Sequence, residues 1–378
     1  MTYSLTQKKD LITQHTEEII TTESLEALLA AEKPLKHYIG FEISGEIHLG
    51  TGIAAMQKVK DIAEAGVTPT IFLADWHTWI NDKLEGDRDA IKRIAVGYFK
   101  EGLSVCYRAL GGNPDDLVFV LGSDLYHHND AYWETVVSIP KHTTLNRAKR
   151  SISILGRQAQ EEIDMAKMLY PIMQVADIFA LGVDIAHAGM DQRKAHVIAR
   201  DVAEKIGREK PIALHHHLLL GLGKPPIWPL PASPDASQGG PADADKQELW
   251  ASLKMSKSKP ESAVFITDEP EIIREKVMKA FCPPKEILFN PIIDWAEHII
   301  FPREEQGIVI TREEAHGGNL NVPDPEELKS VFREGGLHPE DLKHFVADYL
   351  INFLAPIRDH FSKGAPKEML DDLKRLIQ

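Results

Sequence analysis

The chain has 378 residues, a hydrophobic content of 43% and a formal net charge of −14. This length is sufficient for two domains, or for one large domain with additions, and for a sizeable core. The two cysteines, Cys106 and Cys282, exclude a disulfide framework and favour a reducing compartment. Neither a secretory signal nor an apolar run of 18 residues is evident, so we expect a cytoplasmic protein without a membrane span. The acidic balance still permits RNA binding through a local basic face.

The first two thirds of the chain predict an α/β fold. Residues 1–36 have helical spacing of apolar side chains and are predicted to form an N-terminal helical extension. For residues 37–269, alternating strands and helices predict a Rossmann-like, doubly wound parallel sheet, which binds ligands at the carboxyl ends of its strands. The predicted strands are His37–Glu42, Thr70–Ala74, Leu117–Gly122 and Gly182–Ala186, and the predicted helices are Ile53–Ala65, Arg88–Gly102, Ala131–Ile139 and Gln192–Ile206.

Three later segments depart from this alternation. Residues 124–168 are rich in helix formers, which indicates an insertion between the two halves of the sheet. Residues 221–245 are rich in proline and glycine, which predicts a long loop. Residues 270–378 are mostly helical in pattern and are predicted to form a separate, all-helical domain. The helices predicted there are Glu271–Phe281, Glu326–Arg333, His338–Ile357 and Glu368–Ile377.

Two short stretches carry the strongest functional signal. His48-Leu49-Gly50 lies just before the predicted helix Ile53–Ala65, and free N–H groups at a helix N-terminus favour phosphate. Glycines at such a junction also serve simply to permit a tight turn, so this stretch does not decide the matter alone. The second stretch, Lys254-Met255-Ser256-Lys257-Ser258, follows the long loop.

Together the two stretches resemble the signatures of class I aminoacyl-tRNA synthetases. The first is similar to the His-Ile-Gly-His motif, with Thr51 where a second histidine is often found, so the role of Thr51 is open. The second matches Lys-Met-Ser-Lys-Ser at every position. From about Lys36 to about Ile357 the chain resembles tyrosyl-tRNA synthetases of the archaeal and eukaryotic type. The segments that carry this resemblance are Tyr38–Glu42, Leu73–His77, Tyr170–Asp177 and Gly189–Lys194.

The resemblance implies a tyrosine–tRNA ligase, which activates tyrosine with ATP to tyrosyl-adenylate and transfers tyrosine to the 3′ end of its tRNA. Such chemistry depends on positioning two anions and on stabilising the charge of the leaving pyrophosphate. We expect His48, Thr51, Lys254 and Lys257 to be catalytic, Mg²⁺ to accompany ATP, and no cofactor to be tightly bound. The predicted ATP-binding residues are Gly40, His48, Gly50, Asp191, Lys254, Ser256 and Lys257.

The amino-acid pocket is also assigned by the resemblance. It implies that Tyr38 and Asp177 bond the phenolic hydroxyl. Tyr170, Gln174 and Asp177 follow i, i+4, i+7 spacing, so one helix face presents all three. A core stripe with a polar edge has the same spacing, although a buried aspartate needs a partner. Tyr170, Gln174 and Gln192 are expected to hold the α-ammonium group, with Glu42 nearby and His77 lining the pocket.

Partners follow from the same resemblance. Arg150, Arg193 and Lys194 are candidate tRNA contacts, and the resemblance implies that Arg150 and Arg193 approach the first base pair of the acceptor stem. His338 is expected to stack on an anticodon base and Asp341 to accept from a guanine edge, since RNA is read mainly on splayed bases. The segment His338-Pro339-Glu340 also fits an ordinary helix start, and both interpretations can hold. The family is typically a homodimer joined through the insertion.

Alternative functions remain open at this point. A tryptophan–tRNA ligase has the same architecture, although Asp177 paired with Tyr38 favours a phenol over an indole. A non-catalytic paralogue that only binds RNA, or a simple nucleotidyltransferase, would retain part of the pattern. The run His215-His216-His217 lacks cysteine or acidic residues at zinc spacing, so we predict no metal site.

Overall fold

The computed structural model describes residues 3–31, 33–155, 164–226, 228, 250, 253–257 and 259–377. Residues 156–163 of the predicted insertion, most of the predicted loop 221–245, and Ser258 lie outside the described residues. The chain divides into two compact units. Unit 1 contains Met1–Gly45, Ala55–His217 and Lys363–Gln378, and unit 2 contains Glu46–Ala54 and Leu218–Ser362. The boundaries between the two units differ from the predicted domain boundaries, which follow residues 36 and 269.

Unit 1 is built on a six-stranded sheet. Its strands are β1 (Glu18–Ile20), β2 (Leu35–Phe41), β3 (Val67–Leu73), β4 (Val118–Leu121), β5 (Ile185–Gly189) and β6 (Ile212–His216). They lie in the order β1-β6-β5-β2-β3-β4, and all neighbours are parallel except β1, which pairs antiparallel with β6. The predicted strands His37–Glu42, Thr70–Ala74 and Leu117–Gly122 correspond to β2, β3 and β4, whereas the predicted strand Gly182–Ala186 shares only Ile185 and Ala186 with β5. Strands β1 and β6 were not predicted.

Helices precede and follow these strands along the chain. They are α1 (Leu5–Thr13), α2 (Thr22–Ala30), α3 (Ala55–Glu64), α4 (Asp75–Ile80), α5 (Arg88–Ile94), α6 (Lys100–Ala109), α7 (Gly122–Tyr126), α8 (Asp130–Ser138), α9 (Leu145–Ser151), α10 (Met165–Ala180) and α11 (Arg193–Val202). A π-helical turn, Ala95–Phe99, separates α5 from α6, where one continuous helix was predicted. In α11, Ala195, Ile198, Ala199 and Val202 are buried at the spacing of one helix face. This face packs in the core with α10, which is buried almost throughout.

Unit 2 is mainly helical and contains a small hairpin. Its elements are α12 (Pro270–Lys279), α13 (Pro291–Trp295), β7 (Ile308–Ile310), β8 (Leu320–Val322), α14 (Pro325–Glu334) and α15 (Pro339–His360). All four helices begin with proline, whose fixed φ and missing N–H suit the first helical position. The antiparallel pair of β7 and β8 is an addition to the all-helical domain that the sequence predicted. Among the described residues, no helix combines the length and apolar character that crossing a bilayer requires.

The last helix, α16 (Gly364–Leu376), belongs to unit 1. Its Asp372 accepts a hydrogen bond of 2.7 Å from Nε of Arg93 on α5. The predicted C-terminal domain is therefore divided between the two units.

Candidate functional site

A group of polar side chains lies where the order of the parallel strands reverses. From β2 the chain proceeds through β3 to β4 on one side, and β5 and β6 lie on the other, so the carboxyl ends of β2 and β5 are neighbours. Such a reversal is where doubly wound sheets bind ligands. Glu42 directly follows β2, and Asp191 and Gln192 directly follow β5 in the turn Met190–Gln192.

The centre of this group in unit 1 is Asp177 on α10, whose side chain is completely buried. Its Oδ1 accepts a hydrogen bond of 3.0 Å from the hydroxyl of Tyr132 on α8. Within the described residues its Oδ2 has no hydrogen-bond partner, and Nε2 of His77 lies 3.6 Å away. A buried carboxylate oxygen without a partner is costly, so this atom is suited to accept a hydroxyl from a ligand.

Burial sets the protonation states around Asp177. Burial raises the pKa of the Asp177 carboxyl well above its usual value, although the hydrogen bond from Tyr132 opposes this. A ligand hydroxyl that donates to Oδ2 favours the ionised form in the same way, so the carboxylate is the form expected when both oxygens accept hydrogen bonds. Burial also raises the pKa of the Tyr38 phenol and lowers the pKa of His77 to about 4. Tyr38 is therefore a hydroxyl donor at neutral pH and His77 is uncharged. A side chain at Gly40 would place its Cβ 2.8 Å from the Tyr38 hydroxyl, so glycine keeps that hydroxyl accessible.

A second cluster in unit 1 presents acceptors. The hydroxyl of Tyr170 donates to Oε2 of Glu42 at 3.1 Å, and Nδ2 of Asn81 donates to both oxygens of that carboxylate at 3.2 and 3.1 Å. Nε2 of Gln174 donates to Oε1 of Gln192 at 3.3 Å. Because Oε1 of Gln174 has no partner among the described residues, it remains able to accept a hydrogen bond from an ammonium group.

Both signature stretches belong to unit 2. The first stretch is held by backbone hydrogen bonds, from Leu49 N to the carbonyl of Val264 and from Ile266 N to the carbonyl of Ile47, each 3.0 Å long. The second is anchored where Met255 N donates to the carbonyl of Leu219 at 2.8 Å. Met255 is buried, whereas Lys254, Ser256 and Lys257 are partly exposed.

His48 is held in one tautomer. Its Nδ1 accepts the N–H of Gly50 at 3.1 Å, so the proton of the neutral ring is on Nε2, where Oγ1 of Thr51 lies 3.5 Å away. Desolvation, reinforced by the charges of Lys257 and Lys254, lowers the pKa of His48 to about 3. His48 is thus a neutral Nε2–H donor in a field set by two cations, which is an arrangement suited to phosphate oxygens.

The predicted RNA-contacting residues are distributed over several helices. Arg150 is exposed near the end of α9, while Arg193 and the exposed Lys194 begin α11. In unit 2, the exposed His338 caps α15, with its Nδ1 accepting from Glu340 N at 3.2 Å. Pro339 occupies the first helical position, so the helix-start interpretation of this segment is confirmed. Asp341 lies in the first turn.

The three adjacent histidines bond to three separate sets of partners. Nδ1 of His215 lies 3.0 Å from Glu18, Nδ1 of His216 lies 2.7 Å from Nε2 of His187, and Nδ1 of His217 lies 3.3 Å from Glu17. Alternation along β6 sends the neighbouring side chains of His215 and His216 to opposite faces of the sheet.

Two residues of the candidate site escaped prediction. Tyr132 is the hydrogen-bond donor to Asp177, and Asn81 is a donor to Glu42. They lie 45 and 39 positions away from these partners along the chain. Nothing in the local sequence distinguishes Tyr132 from an ordinary core aromatic on the predicted helix Ala131–Ile139. Asn81 follows α4 and has the pattern of an ordinary helix end.

Comparison with known proteins agrees with this geometry. A family model described as "tRNA synthetases class I (W and Y)" matches residues 30–224 and 248–355. A tyrosine–tRNA ligase of Thermococcus onnurineus is 52% identical, covering 97% of this chain and 98% of its own. A crystal structure of a Pyrococcus horikoshii tyrosyl-tRNA synthetase complexed with L-tyrosine is 49% identical, with a TM-score of 0.92, covering 99% of this chain and all of its own. An Aeropyrum pernix tryptophanyl-tRNA synthetase is 18% identical with a TM-score of 0.62, which is a likeness of fold.

Proposed function

The chain belongs to the class I aminoacyl-tRNA synthetases as a tyrosyl-tRNA synthetase of the archaeal type, and from this premise we propose how its residues perform the reaction. The substrates are tyrosine, ATP and tRNA. The tyrosine carboxylate attacks the α-phosphate of ATP, forming tyrosyl-adenylate and releasing pyrophosphate. The tyrosyl group is then transferred to the 3′-terminal adenosine of the tRNA.

Asp177 is the residue that selects tyrosine in this proposal. Its buried Oδ2, which has no partner among the described residues, accepts the phenolic hydroxyl of the substrate, while Tyr132 occupies Oδ1. The protonated phenol of Tyr38 supplies a second hydrogen bond to the same hydroxyl. Phenylalanine brings no hydroxyl and leaves Oδ2 unsatisfied, at a cost of about 1–3 kcal/mol. This carboxylate oxygen is the single observation on which the assignment of the substrate depends.

The other end of tyrosine is held by acceptors. Oε1 of Gln174, Gln192 and the hydroxyl of Tyr170 surround the α-ammonium group, and His77 lines the pocket. Glu42 contributes its negative charge, and its carboxylate is fixed by Tyr170 and Asn81. Fixing the ammonium group orients the substrate carboxylate for attack on the α-phosphate, and such orientation lowers the barrier of a reaction between two bound groups.

Residues of unit 2 act on ATP. Nε2–H of His48 donates to a phosphate oxygen, and Thr51 supports it in place of a second histidine. Lys254 and Lys257 neutralise the charge that develops on the leaving pyrophosphate, with Ser256 and the backbone at Gly50 as further donors. ATP enters as its magnesium complex, in which phosphate oxygens and water hold most of the metal's coordination sites. In unit 1, Gly40 leaves room for the nucleotide and Asp191 accepts from the ribose.

We propose two sets of tRNA contacts, one in each unit. Arg150, Arg193 and Lys194 contact the acceptor stem, and His338 and Asp341 contact the anticodon in the helical region 270–378. Splayed single-stranded bases offer the faces and edges that a histidine ring and a carboxylate read. Because charged tRNA supplies translation, we expect the enzyme in the cytoplasm.

We further propose a homodimer joined through the predicted insertion. Four large apolar side chains in or next to residues 124–168 are exposed: Val137 (67%), Leu145 (64%), Met165 (80%) and Leu169 (45%). Contact with a partner subunit would remove this apolar surface from water, which supports an interface at the insertion. Val137→Asp with Leu145→Asp is expected to halve the mass measured by light scattering. An unchanged dimer mass in this variant would contradict the proposed interface.

Charging of tRNA with each proteinogenic amino acid tests the function. Tyrosine is expected to be attached in an ATP-dependent reaction, and tryptophan and phenylalanine are expected to remain unattached. Attachment of tryptophan in preference to tyrosine would overturn the substrate assignment, and binding of tRNA without charging would indicate an RNA-binding protein.

A further inference from the structure

Arg193 is held along one edge of its guanidinium. Glu18 of β1 accepts from Nε with both carboxylate oxygens, at 3.0 and 2.7 Å, and from Nη2 at 2.8 Å. Nη1 has no hydrogen-bond partner within the described chain, and 41% of the Arg193 side chain is exposed. A guanidinium has five N–H donors, so Nη1 and the second hydrogen of Nη2 remain for an acceptor outside the chain.

Glu18 is itself held in place by a histidine of the neighbouring strand β6. It stands directly opposite His215 in the pairing of β1 with β6, and Nδ1 of His215 lies 3.0 Å from its Oε2. A carboxylate only accepts, so Nδ1 carries the proton, and burial lowers the pKa of His215 to about 3, which keeps the ring neutral. Nε2 of His215 then accepts from Nδ1 of His196 at 3.1 Å.

The chain of contacts therefore begins and ends on α11. Arg193 and His196 are one turn apart on that helix, and His196 and His215 are completely buried. Both histidines therefore have a defined tautomer. With its proton on Nδ1, neutral His215 has Nε2 as an acceptor, so His196 must carry its own proton on Nδ1 to donate to it. The position of the Glu18 carboxylate is thus fixed by His215, and the carboxylate in turn fixes the orientation of the Arg193 guanidinium.

Resting on the proposed contact of Arg193 with the acceptor stem, we propose that Glu18 and His215 are positioning residues for tRNA. They hold the guanidinium so that its outer edge meets a pair of acceptor atoms, either O6 and N7 of a guanine or two phosphate oxygens. An ion pair as exposed as Arg193–Glu18 contributes little to stability. Its consequence is the orientation of the arginine.

The test compares charging of tRNA with ATP–pyrophosphate exchange, which needs no tRNA. Glu18→Gln keeps the shape of the side chain and removes the charge that fixes the arginine. It is expected to lower kcat/KM for tRNA about tenfold and to leave tyrosine-dependent exchange within about twofold of wild type. Glu17→Gln is the matched control: Glu17 precedes β1, is 50% exposed and lies next to His217, and its replacement is expected to leave both rates unchanged.

The double variant separates positioning from a general structural effect. Arg193→Ala alone is expected to lower charging at least as much as Glu18→Gln, and adding Glu18→Gln to it is expected to have no further effect. With a transcript whose first base pair is altered, Arg193→Ala reduces discrimination if a guanine is read, and lowers charging of both transcripts equally if phosphate is bound.

Three results would overturn the proposal. Glu18→Gln that charges tRNA like wild type would show that Arg193 needs no positioning. Exchange that falls as much as charging would show a structural role for Glu18. Wild-type protein that performs exchange without charging any tRNA would overturn the proposed function together with this inference.

Discussion

Replacing Asp177 by asparagine tests the tyrosine pocket most sharply. Asparagine has the same shape but offers one acceptor and one donor where the carboxylate offers two acceptors. Whichever way the amide turns, either the Tyr132 hydroxyl or the substrate hydroxyl meets an N–H group. A hydrogen bond to a charged partner contributes about 1.5–3 kcal/mol, so kcat/KM for tyrosine should fall by about 10- to 150-fold.

The assay is ATP–pyrophosphate exchange with tyrosine and with phenylalanine. The tyrosine rate is expected to fall while KM for ATP stays near the wild-type value, because ATP is assigned to other residues. The preference for tyrosine over phenylalanine should fall by the same factor, since phenylalanine makes no bond to position 177. Asp61→Asn is a matched control, because Asp61 is 1% exposed in α3 and bonds to Gln57 and His15. This control should lower thermal stability without changing the tyrosine KM. If Asp177→Asn retained wild-type tyrosine kinetics, the assignment of Asp177 would be refuted.

Two further predictions concern the nucleotide residues and the buried histidines. Lys254→Ala should lower the rate of adenylate formation about 10²–10³-fold with little change in tyrosine affinity, measured by single-turnover kinetics; an unchanged rate would remove Lys254 from the mechanism. Six buried histidines of the described chain have lowered pKa values: His37, His77, His187, His196, His215 and His216. Below pH 6.5 these histidines bind protons in the unfolded chain but stay neutral in the folded protein, so the free energy of unfolding decreases as the pH falls. Each histidine lowers it by up to about 1.4 kcal/mol per pH unit, until the pH reaches the pKa of that histidine in the folded protein. Urea unfolding at pH 7 and pH 5 measures this loss, and equal midpoints would contradict it.

The sequence predicted the central strands because each is a compact apolar run between turn signals. It did not predict β1, which has three residues inside a stretch with helical spacing, and whose partner β6 lies almost two hundred positions away. Strand β6 was missed because both His215 and His216 are buried, so the strand lacks the alternation of polar exposed and apolar buried residues that usually indicates a strand. Pairing partners distant in the chain leave no local pattern.

The residues of the candidate site likewise include some that the sequence predicted and some that it did not. Spacing alone placed Tyr170, Gln174 and Asp177 on one face of a helix, and α10 carries all three. Resemblance supplied their roles, which remain predictions. Neither spacing nor resemblance indicated Tyr132 and Asn81, because hydrogen bonds between elements distant in the chain depend on how those elements pack. The bond between Glu18 and Arg193 was unpredictable for the same reason, since it depends on the unpredicted pairing of β1 with β6.

The most direct measurement of the central claim is a crystal structure of this protein with bound tyrosine. The phenolic oxygen of tyrosine is expected about 2.5–3.0 Å from Oδ2 of Asp177, with Tyr132 still bonded to Oδ1. A phenolic oxygen more than about 3.5 Å from both carboxylate oxygens, with its hydroxyl bonded elsewhere, would contradict it.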